Sequence, residues 1–150
     1  MKGMPARGDT AIPFGIARSF PGGPMAEAER TLYRRLGGYD VIARVIDDMF
    51  LALRADPAFA RFGAGRSTDS HNRARQLLVD QICELSGGPC VYIGRDMQSS
   101  HAGLGISESD WTANMAHTEA ALVKNAVPEA ERAEFLALFE RYHADIVEDA

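Results

Sequence analysis

Seven apolar residues, Val41, Ile42, Val45, Ile46, Met49, Phe50 and Leu53, recur at the spacing of one helical face. That pattern predicts an amphipathic α-helix of about three turns. Asp40, Arg44, Asp47, Asp48 and Arg54 fall largely off the face, so the helix has one side that must be buried and one that is wet. A segment of this kind is stable only when other elements cover its apolar side. The one strand candidate, Cys90-Val91-Tyr92-Ile93, is too short to build a sheet. The covering elements must therefore be helices.

Glycine, proline and short polar residues mark where those helices begin and end. Thr31 to Leu36 reads as a short helix stopped by Gly37-Gly38. Asp56-Pro57 fits an N-cap followed by proline at the first helical position, with a single turn through Phe62. After a loop from Gly63 to Thr68, a helix is predicted from Ser70 to Ser86. It turns Ala74, Leu77, Leu78, Ile82 and Leu85 inward, and Gly87-Gly88-Pro89 ends it. Residues 89–96 look irregular and lead to a very short helix carrying His101. Ser107 and Asp110 resemble a capping box opening a helix to about Asn125, with Trp111, Met115, Thr118 and Leu122 on one side. Val127-Pro128-Glu129 starts the last helix, whose inward stripe is Phe135, Leu138, Phe139, Tyr142 and Ile146. The fold class is all-α, one layer of helices packed on another. Residues 1–28 are crowded with glycine and proline and are expected to be a flexible N-terminal extension, with Met25 as an alternative start; residues 29–150 are the folded domain.

With 150 residues, 46% of them hydrophobic, a single domain has room for a bound prosthetic group. A net charge of −5 argues against nucleic-acid or anionic-membrane partners. No apolar run approaches the roughly 18 residues of a membrane span, and no secretory apolar core opens the chain. Cys83 and Cys90 lack the CxxC spacing of common zinc sites and are expected to be reduced thiols in a cytoplasmic protein.

Most catalytic patterns are missing. No GK[ST] phosphate loop and no GxSxG elbow occur, and Gly103-Leu104-Gly105 follows no strand. Asp47 and Asp48 are adjacent on one helix, splayed by about 100°, and read as a solvated face. Ser99 or Ser100 beside His101 lacks a third group to orient a hydrolytic site. Of the histidines, His143 is expected to face solvent near the end of the last helix, and His117 to be a mid-helix boundary residue. His71 lies in the first turn of its helix, on the side of Ala74 and Leu78. His101 stands apart because Ala102, Gly103 and Gly105 leave backbone-level space for a flat, bulky partner. The residues alone leave both a structural histidine and a metal ligand open.

The chain resembles a group I truncated haemoglobin over residues 30–148. The likeness is carried by Leu32-Tyr33-Arg34-Arg35-Leu36-Gly37-Gly38, the long second helix, Gly87-Gly88-Pro89, Tyr92-Ile93-Gly94-Arg95-Asp96-Met97 and His101-Ala102-Gly103-Leu104-Gly105-Ile106, in that order. The resemblance implies a two-over-two helical sandwich around noncovalent haem b, with His101 as the proximal iron ligand through Nε2. Its other ring nitrogen should donate to a backbone carbonyl or similar acceptor. Tyr92 and Arg95 stand where members approach a haem propionate, and Met97 and Trp111 are expected to line the cofactor.

The distal side departs from the family pattern. Phe50 occupies the position of a common tyrosine. Ala74 and Leu78 occupy the two positions that often supply glutamine, and Phe62 is the candidate aromatic lid. Loss of a tyrosine hydrogen bond to oxygen is worth roughly 1–3 kcal/mol and implies faster oxygen dissociation by about one to two decades. His71 or Gln81 is expected to supply the missing polar group, or His71 to bind the iron directly. The implied function is reversible binding of oxygen, nitric oxide or carbon monoxide. The alternatives are nitric-oxide dioxygenation or a peroxidase-like reaction supported by a reductase, a haem-based gas sensor, and a haem-free helical scaffold.

Overall fold

A computed structural model describes residues 30–148, and all regular structure among them is helical. The elements are α1 (Leu32–Leu36), α2 (Tyr39–Ala55), a 3-10 turn (Pro57–Phe59) running into α3 (Ala60–Gly63), α4 (Thr68–Leu85), α5 (Met97–His101), α6 (Glu108–Lys124), α7 (Glu129–Glu140) and α8 (His143–Ile146). The expected extension over residues 1–28 lies outside the described residues.

The α2 face read from the sequence is the centre of the packing. It rests on both α4 and α6, while α7 packs on α6 and on α1. Ile42, Val45, Ile46 and Met49 of α2 join Val79 and Ile82 of α4, Leu122 of α6 and Phe135 of α7 in one buried cluster. Each such side chain contributes roughly 1.5–3 kcal/mol through apolar burial. The adjacent carboxylates of α2 splay as expected and tie it to its two neighbours. Asp47 takes Arg75 of α4 at 2.7 and 2.9 Å, and Asp48 takes Lys124 of α6 at 2.8 Å.

The caps predicted at Asp56 and at Ser107 with Asp110 are present, and Thr31, expected as the first residue of α1, is instead its N-cap. Thr31 Oγ1 accepts from Arg34 N–H, Asp56 Oδ1 from Ala58 N–H, and Ser107 and Asp110 form a reciprocal capping box. Gly37, at φ 104°, closes α1 in the left-handed region that suits glycine.

Several expectations are corrected. Helix α4 starts at Thr68, not Ser70, because Ser67 Oγ caps Ser70 N–H at 3.1 Å, and its polar first turn shows no periodicity. Pro128 is the N-cap of α7 rather than its first helical residue. The last apolar stripe is divided between α7 and α8 without a glycine or proline to announce the break. His143 opens α8 rather than ending the last helix, and its side chain stays partly exposed, at 35%. Its Nε2 lies 2.9 Å from Glu108 Oε1, and its ring meets Trp111 edge-on at 5.0 Å.

Cys83 and Cys90 are joined in a disulfide, not reduced, with Cα atoms 5.6 Å apart. The turn at Gly87-Gly88-Pro89 folds residue 90 back beside the end of α4, a proximity the spacing did not disclose. Gly88 permits it: a Cβ there would sit 2.5 Å from the Tyr33 ring and 2.7 Å from Cys83 Sγ. No helix among the described residues is long and apolar enough to cross a membrane.

Candidate functional site

Five-residue α5 is far too short to persist by itself and needs a cap and a packing partner. Asp96 supplies the cap, its carboxylate accepting from Ser99 N–H at 2.7 Å and Ser99 Oγ at 2.8 Å. The Ser99 backbone N–H chiefly holds that carboxyl below the usual carboxylate range. The packing partner is α8. His101 is the last residue of α5, with Nδ1 2.9 Å from the Met97 carbonyl oxygen. A carbonyl only accepts, so this contact places the proton on Nδ1. The Ser100 hydroxyl lies 2.9 Å from the same nitrogen and also donates to Met97 O at 3.2 Å. Nε2 keeps its lone pair and has no hydrogen-bond partner among the described residues.

Beyond His101 the chain is fastened from the far end. Glu148 accepts from Gly103 N–H at 2.5 Å and Gly105 N–H at 2.8 Å, while its own N–H donates to Ile106 O at 2.8 Å.

His101 lines a cavity of about 810 Å³ bounded by α2, α4, the 92–97 segment, α6 and the α7–α8 end. Phe50, Phe62, Ala74, Leu78, Tyr92, Arg95, Met97 and Trp111 line it too, so these sequence-selected residues meet around one space. His71 does not join them. It lines an adjoining cavity of about 170 Å³, which shares Phe50, Arg66 and Ala74 with the large one.

The polar groups of the large cavity differ in how far they are already engaged. Asp110 is tied to Ser107 and to the Arg61 guanidinium, which also lies 4.1 Å over the Phe62 ring. The Ser107 backbone N–H leads in holding the Asp110 carboxyl below its ordinary range, with Arg61 adding to it against the cost of burial. Tyr92 donates its hydroxyl to Arg95 O at 2.5 Å, and burial pushes its phenol up. Gln81 is only 7% exposed, yet its amide makes no hydrogen bond among the described residues. Arg73 and Arg95 are exposed on the solvent side of the cavity, their guanidinium groups free of hydrogen bonds among the described residues.

Sequence reasoning passed over Arg73 and Asn114 as lining residues. Asn114 was findable, since it shares a helical face with Trp111 and Thr118. Arg73 carried no signal, because it looks like any polar residue of α4. His117 is a boundary residue, as expected, with Nε2 2.9 Å from Asp56 Oδ2, tying α6 to the turn after α2.

Residues 31–148 match the bacterial-like globins. The group 1 truncated hemoglobin of Nostoc sp. is 33% identical over 97 residues, covering 65% of this chain and 80% of that protein. Its counterpart in Tetrahymena pyriformis is 25% identical over 118 residues, covering 79% and 95%. The Tetrahymena crystal structure in its Fe(III) form superposes with a TM-score of 0.72 at 23% identity, over 80% of this chain and all of that one (100%). The 2/2 hemoglobin of Synechococcus sp., solved in a cyanomet state with covalently attached heme, gives a TM-score of 0.70 at 18% identity, covering 79% and 98%. With the helix pairs, the break at Gly87-Gly88 and the histidine-bearing α5 in their order, the chain belongs to the bacterial-like globins and is a truncated haemoglobin of two-over-two fold, a haem-binding globin.

Proposed function

We propose that the large cavity holds haem b noncovalently, that His101 Nε2 is the axial ligand, and that the protein reversibly binds oxygen or another diatomic gas. The observation that carries this is the His101 imidazole, fixed through Nδ1–H to the Met97 carbonyl and left with a free Nε2 lone pair at a large, mainly apolar cavity. The residues fit the group: a neutral imidazole oriented by a backbone acceptor is a good iron ligand. When bound, the haem would supply an iron able to take His101 as a ligand and to bind a small gas. Phe50, Phe62 and Leu78 exclude water from the gas side, and Arg73 and Arg95 offer unengaged cations to the propionates. On this reading, His71 is a second-choice ligand, reaching iron only if the Phe50–Ala74 wall opens. Tyr92, its hydroxyl already donated, would meet a propionate through its ring edge alone.

Nitric-oxide dioxygenation is the second reading. It needs a donor on the gas side, and the unpartnered amide of Gln81 is the observation in its favour. A cytoplasmic location remains part of the proposal; reducing thiol buffers there would open Cys83–Cys90 except under oxidative conditions.

The deciding measurement is the optical spectrum of the purified, reduced protein with and without carbon monoxide. A Soret band that shifts with the gas is expected in wild type, with loss of the histidine-ligated form in His101→Gly. Unchanged haem uptake and coordination in that variant would overturn the assignment. Stopped-flow mixing of the oxygenated protein with nitric oxide, with a reductase present, separates the two functions: rapid repeated conversion favours the enzyme.

A further inference from the structure

We infer that the smaller cavity is a binding site for a small inorganic oxyanion, held by Arg54 and Arg66 beside the first turns of α4. The cavity, about 170 Å³, lies between α2 and α4 and also presents Asp47, Arg75, His71 and Asn72. Its charges do not cancel. Asp47 is already taken by the two-point contact with Arg75 at 2.7 and 2.9 Å. Arg66 spends Nε on Ser70 Oγ at 3.1 Å and Nη2 on Ser70 O at 3.3 Å, neither of them anionic. Arg54 makes no hydrogen bond or ion pair among the described residues. Two exposed arginines therefore line one concavity without an anionic partner among the described residues, in a chain whose net charge is −5.

The chemistry selects an oxyanion. A guanidinium fork matches two oxygens of a planar or tetrahedral anion, and such charge-assisted bonds are stronger than neutral ones. His71 and Asn72, in the first turns of α4, add polar side chains to the same wall. Pockets for drug-sized ligands run from about 300 Å³ upward, so this one suits an ion of a few atoms. It also gives His71 a role that needs no contact with iron: a second polar donor to the ion. Because Phe50, Arg66 and Ala74 line both cavities, the ion would sit beside the larger one and share Arg66 with it.

The test titrates nitrate, nitrite and phosphate into the reduced, carbon-monoxide-saturated protein, which closes any iron to them. Chloride holds ionic strength constant, and proton–nitrogen NMR spectra report binding. Saturable shifts are expected at the Arg54 and Arg66 Nε–H groups and the His71 and Asn72 amides, and the arm that saturates tells trigonal from tetrahedral anion. Arg54→Gln and Arg66→Gln should each weaken apparent affinity about tenfold or more, since each removes a charge-assisted contact. Exposed Arg44 of α2 lines neither cavity, and Arg44→Gln should leave the affinity unchanged. Non-saturating shifts, or affinity indifferent to both Arg54→Gln and Arg66→Gln, would overturn the site. Protein that takes up no haem but still binds the anion would sink the proposed function and leave this inference standing.

Discussion

Glu148 reaches back to Gly103 and accepts its N–H at 2.5 Å, so the last described residue holds the loop that follows His101. The same carboxylate takes Gly105 N–H at 2.8 Å. Two amides that would otherwise face water on an exposed loop are thereby ordered next to the candidate ligand, and α8 is anchored over α5.

Replacing Glu148 by Ala should therefore loosen residues 102–106. Hydrogen bonds to charged groups are worth about 1.5–3 kcal/mol when sheltered, and solvent screening reduces that here, so a local loss of about 1–2 kcal/mol is expected. Amide exchange at Gly103 and Gly105 should speed up about 5–30-fold. Exchange rates equal to wild type would show that the clamp does not order the loop.

Opening the Cys83–Cys90 bridge should lower stability without unfolding the protein. Closing so short a loop is worth roughly 2–3 kcal/mol in the chain-entropy account. Calorimetry with and without reductant should show a drop in Tm of about 5–15 °C. Cys90→Ala should already melt low and be insensitive to reductant. A wild-type Tm that ignores reductant would mean the bridge contributes nothing.

Acid should destabilise the fold through its engaged carboxylates. The Asp110 carboxyl is held down first by Ser107 N–H and then by Arg61, and the Asp48 carboxyl first by Lys124 and then by Asn125. Both native pKa values lie below the unfolded ones. The stabilisation is thus fully present above the unfolded aspartate value of about 3.9 and is lost as pH falls through the lowered native values. Urea midpoints should decline from about pH 5 downward, and Asp110→Asn should flatten part of that slope. A variant with an undiminished acid slope would remove Asp110 from the explanation.

Phe50 and Gln81 set opposite expectations for gas release. Phe50→Tyr adds a hydroxyl donor and should slow oxygen dissociation by about one to two decades, while Gln81→Leu removes an amide that lines the cavity without a hydrogen bond among the described residues and should speed it. Flash photolysis and stopped-flow release rates measure both. Unchanged release in Gln81→Leu would deny that amide a role toward the ligand.

The sequence by itself determined where most of the helices lie, though not the break between α7 and α8 or the first turn of α4. Apolar spacing from Val41 to Leu53, caps at Asp56 and Ser107, and glycine pairs at 37–38 and 87–88 are local signals, because helix formation and termination depend on residues within a few positions of each other. The short segment ending at His101 was legible for the same reason. What depends on distant residues was decided only in three dimensions. Cys83 and Cys90 meet because the Gly88 turn folds onto Tyr33, and Glu148 finds Gly103 because α8 docks on α5. His71 looked like a distal residue from its helical face, yet the placement of α4 against α2 puts it behind Phe50 and Ala74, in a cavity with Arg54 and Arg66. Periodicity specifies which side of a helix is turned inward, but only packing between helices specifies which of two adjoining spaces a side chain enters.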